Sequence, residues 1–190
     1  MKKIAILFSG AGSNLAYILE NLHQKEVEVV VAITNNPDAE GILYANEHGV
    51  PVEVVNSKIF SSREKFDEEL VHILHHYKPD LTVLAGFMRI LTPIFTKQIK
   101  AINLHPSLLP RHKGMMAIER SYEDEYETGG VSVHWVTEEL DGGALILQEE
   151  LEKGDRSFCA YEAEIKRMEK PLLCKGIRLA LEEQERATEQ

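Results

Sequence analysis

Apolar residues recur along the first half of the chain in two alternating rhythms, short continuous runs and longer stretches with one apolar face. Ile4 to Phe8 is a short apolar run that ends in Ser9-Gly10-Ala11-Gly12-Ser13-Asn14, after which Leu15, Ile18, Leu19 and Leu22 return at helical spacing. That pattern predicts a strand, a glycine-rich turn and a helix. Val27 to Thr34 is a β-branched run closed by Asn35-Asn36-Pro37-Asp38, and Gly41 to His48 reads as helix. Val50 to Val55 predicts a third strand. Arg63 to Tyr77 carries Phe66, Leu70, Ile73 and Leu74 on one face and stops at Lys78-Pro79-Asp80, ahead of a strand at Leu81 to Ala85. Ile99 to Leu104 predicts a further strand.

After Gly130 the rhythm changes. Val131 to Val136 and Ala144 to Gln148 flank the Asp141-Gly142-Gly143 loop and predict a hairpin-like pair. Tyr161 to Glu185 reads as a long helix interrupted or kinked near Pro171. Strands separated by helices imply parallel pairing through crossovers, and the late hairpin makes the sheet mixed. The expected fold is α/β, a single domain over 1–190 with an open twisted mixed sheet. Its N-terminal half, 1–100, is Rossmann-like and of mononucleotide-binding type, and 101–190 carries the rest. Ligands on such sheets bind beyond the carboxyl ends of the strands. That rule selects the turn after the first strand, the segment after Ala85 and the segment Asn103 to Pro110.

Composition narrows the function classes. A chain of 190 residues that is 44% hydrophobic can bury one sizeable core. No run resembles a signal or a membrane span, so the expectation is a soluble cytoplasmic protein without a membrane partner. A formal charge of −10 would repel a phosphate backbone, which argues against nucleic acid. Cys159 and Cys174 show neither CxxC spacing nor a neighbouring His cluster, so no metal site or disulfide framework is expected.

Two segments carry candidate chemistry. Backbone N–H groups of Gly12, Ser13 and Asn14, between a strand and a helix, could approach an anion with the aid of the helix dipole. The turn lacks the Gly-Lys-Ser/Thr of a Walker loop and the third glycine of a dinucleotide fingerprint. Taken alone it serves equally as a phosphate cradle or as a helix cap by Ser13 or Asn14. Asn103 and His105 stand two apart at the end of a predicted strand, so they share a face, and Pro106 and Pro110 stiffen the segment beyond them. An amide that donates to a developing oxyanion beside an imidazole that moves a proton suits acyl transfer without a nucleophilic serine or cysteine. Asp141, freed by its glycines, would favour the imidazolium if it came near His105. Each feature alone also has a plain structural role, as a hydrogen-bonding histidine or a simple turn.

Six segments together resemble the glycinamide ribonucleotide formyltransferases of purine biosynthesis. They are Phe8-Ser-Gly-Ala-Gly-Ser-Asn-Leu15, Phe60-Ser-Ser-Arg-Glu64, Leu84-Ala-Gly-Phe-Met-Arg-Ile-Leu91, Asn103-Leu-His-Pro-Ser-Leu-Leu-Pro110, Ser132-Val-His-Trp-Val-Thr137 and Leu140-Asp-Gly-Gly143. The resemblance implies a formyltransferase fold and transfer of a formyl group from 10-formyltetrahydrofolate to the amine of phosphoribosylglycinamide, without a metal; whether the chain is a monomer or homodimer the sequence leaves open. It implies that Asn103, His105 and Asp141 are catalytic and that Gly12, Ser13 and Asn14 hold the phosphate. Arg63, Met88, Arg89, Ile90 and Leu91, with Asn103, would meet the folate. Lys166, Arg167, Met168 and Glu169 would face the ribonucleotide, with Glu169 on its ribose.

The chain departs from that pattern in two places. It reads Glu169-Lys170-Pro171 where relatives place a histidine and, further on, a Tyr-Pro pair. It reads His112-Lys113-Gly114 where they have an aromatic residue, Pro and Gly. Alternatives within the class are a formyltetrahydrofolate hydrolase, a methionyl-tRNA formyltransferase and a sugar-amine formyltransferase. The first two carry additional domains, and the third usually lacks the Gly-Ser-Asn turn. A non-catalytic folate- or nucleotide-binding module on the same fold is the alternative of a different class.

Overall fold

The computed structural model describes residues 1–190. Strand neighbours run in the order β3-β2-β1-β4-β5-β6-β7 in one mixed seven-stranded sheet, with β1 Lys2–Phe8, β2 Val27–Thr34, β3 Val52–Val54, β4 Leu81–Leu84, β5 Ala101–His105, β6 Thr128–Trp135 and β7 Leu145–Glu152. The α/β sheet expected from the alternating rhythms is therefore present. The chain divides into two compact units, Met1–Ile102 and Asn103–Gln190.

In the first unit β1 pairs in parallel with β2 on one side and with β4 on the other, and β2 pairs in parallel with β3. Ile4, Ala5, Ile6, Leu7 and Phe8 are all fully buried. A central parallel strand covered on both faces needs an unbroken apolar run, which is why this segment does not alternate. The strand order reverses direction at β1, so the turns after β1 and β4 are neighbours, and Ser9 ties them together. The Ser9 N–H donates to the Gly86 carbonyl at 3.1 Å, and the Met88 N–H donates to Ser9 Oγ at 2.8 Å.

Helix α1 spans Ser13–Asn21 and α2 spans Gly41–Glu47. Helix α3, Arg63–Tyr77, matches the predicted span at both ends and turns Phe66, Leu70, Ile73 and Leu74 inward. Burying a side chain such as Phe66, which is 0% exposed, contributes about 1.5–3 kcal/mol. Ser62 caps α3 by accepting from the Lys65 N–H at 3.2 Å, and Lys78 closes it in the left-handed region at φ 51. The short helix α4, Pro93–Thr96, comes after the turn that ends β4.

In the second unit β6 and β7 pair antiparallel, as the hairpin pattern predicted. Helix α5 covers Ala117–Glu123 and α6 covers Phe158–Thr188. The break expected at Pro171 is absent: α6 continues through it. Proline removes one backbone donor, but Met168, Leu172 and Leu173 on both sides of it are buried, and that packing keeps the segment helical. Gly176 lets α6 approach β6, since a Cβ there would lie 2.7 Å from Val133 Cγ1. The acidic end of the chain forms the exposed last turns of this helix. No helix is long and apolar enough to cross a membrane.

Candidate active site

The second unit gathers Asn103, His105, His134 and Asp141. Asn103 and His105 lie on β5, with His105 as its last residue, one position beyond the strand end expected from sequence. His134 lies on β6 two residues after Ser132, and period-2 alternation turns both inward, leaving them 2% and 0% exposed. Asp141 lies beyond β6 at φ 53, a left-handed conformation that Asp tolerates better than most residues. Gly143 serves a different purpose from the backbone freedom expected of the neighbouring glycines. A side chain at Gly143 would collide with the Trp135 carbonyl, so that position requires close approach, while one at Gly142 would meet only the movable side chain of Glu139.

The Asp141 carboxylate is shared by two imidazoles and one backbone donor. Oδ2 lies 3.5 Å from His105 Nδ1 and accepts from the Gly114 N–H at 2.8 Å, while Oδ1 lies 3.4 Å from His134 Nε2. His134 Nδ1 is 2.9 Å from the Trp135 carbonyl, which can only accept, so Nδ1 carries a hydrogen and donates. Its Nε2 also lies 3.5 Å from Asn103 Nδ2. His105 is fixed by the same logic: its Nε2–H donates to the His112 carbonyl at 2.8 Å, leaving Nδ1 toward Asp141.

Burial raises the Asp141 carboxyl, but the His134 ring, the Gly114 N–H and the His105 ring around it outweigh that and hold the group below its ordinary value. For His105 burial wins. Desolvation lowers the ring's pKa, and the His112 carbonyl and Asp141, which both raise it, do not compensate. Asp141 does favour the imidazolium, as expected, but the desolvation penalty on a charged ring in this pocket exceeds the attraction of one carboxylate and leaves His105 less basic than a free imidazole.

The anion turn and the segment after β4 belong to the first unit. Gly12 adopts φ 74, and a Cβ on it would stand 2.6 Å from Gly41 Cα, so no other residue fits there. Its carbonyl accepts from the Ala16 N–H at 2.8 Å and starts α1, whose first N–H groups have no partner inside the helix. Ser13 is exposed and Asn14 buried, and no side chain caps the helix at Gly12. Met88 and Ile90 are 78% and 52% exposed. They stand on backbone pinned by Ser9 at one end and by Asp67 at the other. Asp67 Oδ2 accepts from the Thr92 N–H at 2.6 Å and from Thr92 Oγ1 at 2.7 Å. Leu91 is half-buried, and the Arg89 guanidinium lies 4.6 Å from the centre of the Phe66 ring. Arg63 is exposed at the first position of α3.

On α6 the four candidates separate. Met168 is 4% exposed and packs in the core, where it continues the inward stripe of Tyr161, Ile165 and Leu172. Lys166 and Arg167 are exposed and paired with Glu162 and Glu164, and Glu169 is half-buried. His134 and Asp67 carried no assigned role. Buried polar residues alternating with valines in Val131-Ser-Val-His134 were the signal for the first, and an acid on the apolar stripe of α3 for the second.

Known proteins resemble this chain in sequence and in fold. The formyl transferase family profile matches residues 2–175. Phosphoribosylglycinamide formyltransferase of Escherichia coli (strain K12) is 42% identical over 149 residues, covering 76% of this chain and 70% of its own length. The enzyme of that name from Haemophilus influenzae is 41% identical over 152 residues, covering 78% and 72%. The crystal structure of phosphoribosylglycinamide formyltransferase from Campylobacter jejuni superposes with a TM-score of 0.91 at 49% identity, covering 93% of this chain and 95% of that one. The chain belongs to the formyl transferase family.

Proposed function

We propose that this chain transfers the formyl group of 10-formyltetrahydrofolate to the amine of phosphoribosylglycinamide. The observation that carries this is the Asp141 carboxylate placed between two buried histidines, one of which, His105, turns Nδ1 toward it. The amine nitrogen attacks the formyl carbon and forms a C–N bond, and the carbonyl oxygen becomes an oxyanion to which Asn103 donates. His105 Nδ1 takes the proton that the attacking nitrogen sheds, and Asp141 stabilises the imidazolium so formed. That proton passes to the departing folate nitrogen as its bond to the formyl carbon breaks, which returns the ring to its neutral form. No covalent enzyme intermediate is required.

Gly12, Ser13 and Asn14 would hold the phosphate through backbone N–H groups, where an anion suits the positive end of α1. Met88 and Ile90 offer apolar contact, and the main chain of Met88 to Leu91 offers hydrogen bonds, to a folate ring; Arg63 would meet its acidic tail. Glu169 would contact the ribose, with Lys166 and Arg167 nearby. The substrates are small soluble molecules and the reaction belongs in the cytoplasm.

The test is an assay of tetrahydrofolate release from 10-formyltetrahydrofolate with and without phosphoribosylglycinamide. Release that depends on the amine is expected. Release without it would make the protein a hydrolase, and binding without any release would make it a silent module.

A further inference from the structure

His112 is a non-glycine residue at φ 54, in the loop between β5 and α5. An L-residue adopts that conformation only under strain, so something must hold it. The restraint is its own side chain. His112 Nε2 lies 2.6 Å from Asp124 Oδ2, and the other carboxylate oxygen accepts from Lys153 Nζ at 2.5 Å. Lys153 lies just past β7, is only 9% exposed, and donates a second time, to the Asp124 backbone carbonyl at 3.2 Å. A buried lysine at the far end fixes the acid, and the acid fixes the imidazole.

This restraint has one product at the active site. The His112 carbonyl receives the His105 Nε2–H, and two residues later the Gly114 N–H reaches Asp141. Arg120 holds the residues around Gly114 by donating to the Lys113 carbonyl at 2.5 Å and the Met115 carbonyl at 2.7 Å. One loop therefore supplies an acceptor to His105 and a donor to Asp141. A neutral imidazole has one hydrogen and two nitrogens of similar basicity, and a carbonyl can only accept. Its placement at Nε2 decides where the hydrogen resides.

We propose that His112, Asp124 and Lys153 are positioning residues of the transfer reaction: together they fix the His112 carbonyl on His105 and hold that ring in the tautomer whose unprotonated nitrogen, Nδ1, faces Asp141. The proposal rests on the assignment of His105 as the proton carrier. With the hydrogen on Nδ1 instead, the ring would donate to Asp141 and could not accept a proton there.

The experiment uses the full chain with Asp124→Asn, Lys153→Met and His112→Phe, the last retaining an aromatic side chain without the bond to Asp124. Nitrogen NMR of the His105 ring is recorded on the unliganded proteins, with thermal midpoints measured alongside, and steady-state kinetics complete the set. Wild type should show a single Nε2–H tautomer and the variants a mixture. Their kcat should fall by about a hundredfold, with KM for each substrate within roughly twofold of wild type. Folded variants that keep the wild-type tautomer, or that change only KM, would overturn the proposal. If Asp124→Asn fails to fold, His112→Phe decides. The NMR signature needs no substrate, so a wild-type protein that shows the single tautomer but transfers no formyl group would count against the function and not against the restraint.

Discussion

His105 Nδ1 and Asp141 Oδ2 are 3.5 Å apart, with side chains only 8% and 5% exposed, and the imidazole of this pair is nevertheless less basic than a free one. A base must be unprotonated before it can act, and a carboxylate beside it is of most use once the proton has arrived. The pair has both properties: desolvation keeps the resting ring neutral, and Asp141 waits for the charge.

Substituting either member should therefore affect turnover more than binding. His105→Ala and Asp141→Asn are expected to lower kcat by roughly 10²–10⁴-fold while folate still binds. Turnover assays paired with folate titration check this, and near-normal turnover in both variants would remove the assigned roles.

The direction of the His105 shift sets the acid limb of the pH–rate profile. Burial lowers its pKa, as do the nearby His134 and Arg120, while the His112 carbonyl and Asp141 raise it. The ring is a base only when unprotonated, so the acid limb of kcat/KM should lie on the acid side of the ordinary imidazole value. Asp141→Asn removes one of the raising influences, so the limb should move further toward acid. A limb displaced toward neutral pH in that variant would contradict this balance of charges around the ring.

Gly12→Ala tests the anion turn. A methyl group there meets Gly41 Cα at 2.6 Å, and φ 74 adds strain of about 1–2 kcal/mol. The expected result is a lower thermal midpoint together with a raised KM for phosphoribosylglycinamide and a smaller change for the folate. An unaltered KM for the phosphorylated substrate would place phosphate binding elsewhere.

Asp67 anchors the end of the Met88–Leu91 segment through Thr92. Asp67→Ala leaves both Thr92 donors without their acceptor and should cost about 1–3 kcal/mol in denaturant unfolding, with a raised KM for 10-formyltetrahydrofolate. Burial pushes the Asp67 carboxyl above its ordinary value despite the Thr92 bonds and Arg89. Folding therefore takes up protons at this site, and its contribution to stability declines as pH rises through the interval between the ordinary value and the raised one. Asp67→Asn, which can still accept from Thr92, should remove that decline. A decline of the same size in wild type and Asp67→Asn would assign it to another group.

The elements with a strong local period were legible in the residues themselves. The Ile4–Phe8 run, the β-branched run Val27–Thr34 and the Phe66, Leu70, Ile73, Leu74 stripe appear as β1, β2 and α3, because a strand or helix fixes the spacing at which neighbours share a face. The short helices α4 and α5 gave no such signal, being too brief for a period to register. The continuity of α6 past Pro171 was hidden as well, since distant packing overrode the local rule.

At the site, residue types and spacing offered Asn103, His105 and Asp141 as candidates, and the family resemblance implied their catalytic role. The order of residues left undecided who meets whom and in which charge state. His134 against Asp141, Lys153 against Asp124, and the neutral ring of His105 depend on contacts between positions far apart along the chain and on how much water is excluded around them. Local period is a property of backbone geometry and can be read from near neighbours. Desolvation and side-chain pairing are sums over every group that folding brings close, and those sums exist only once the tertiary structure does.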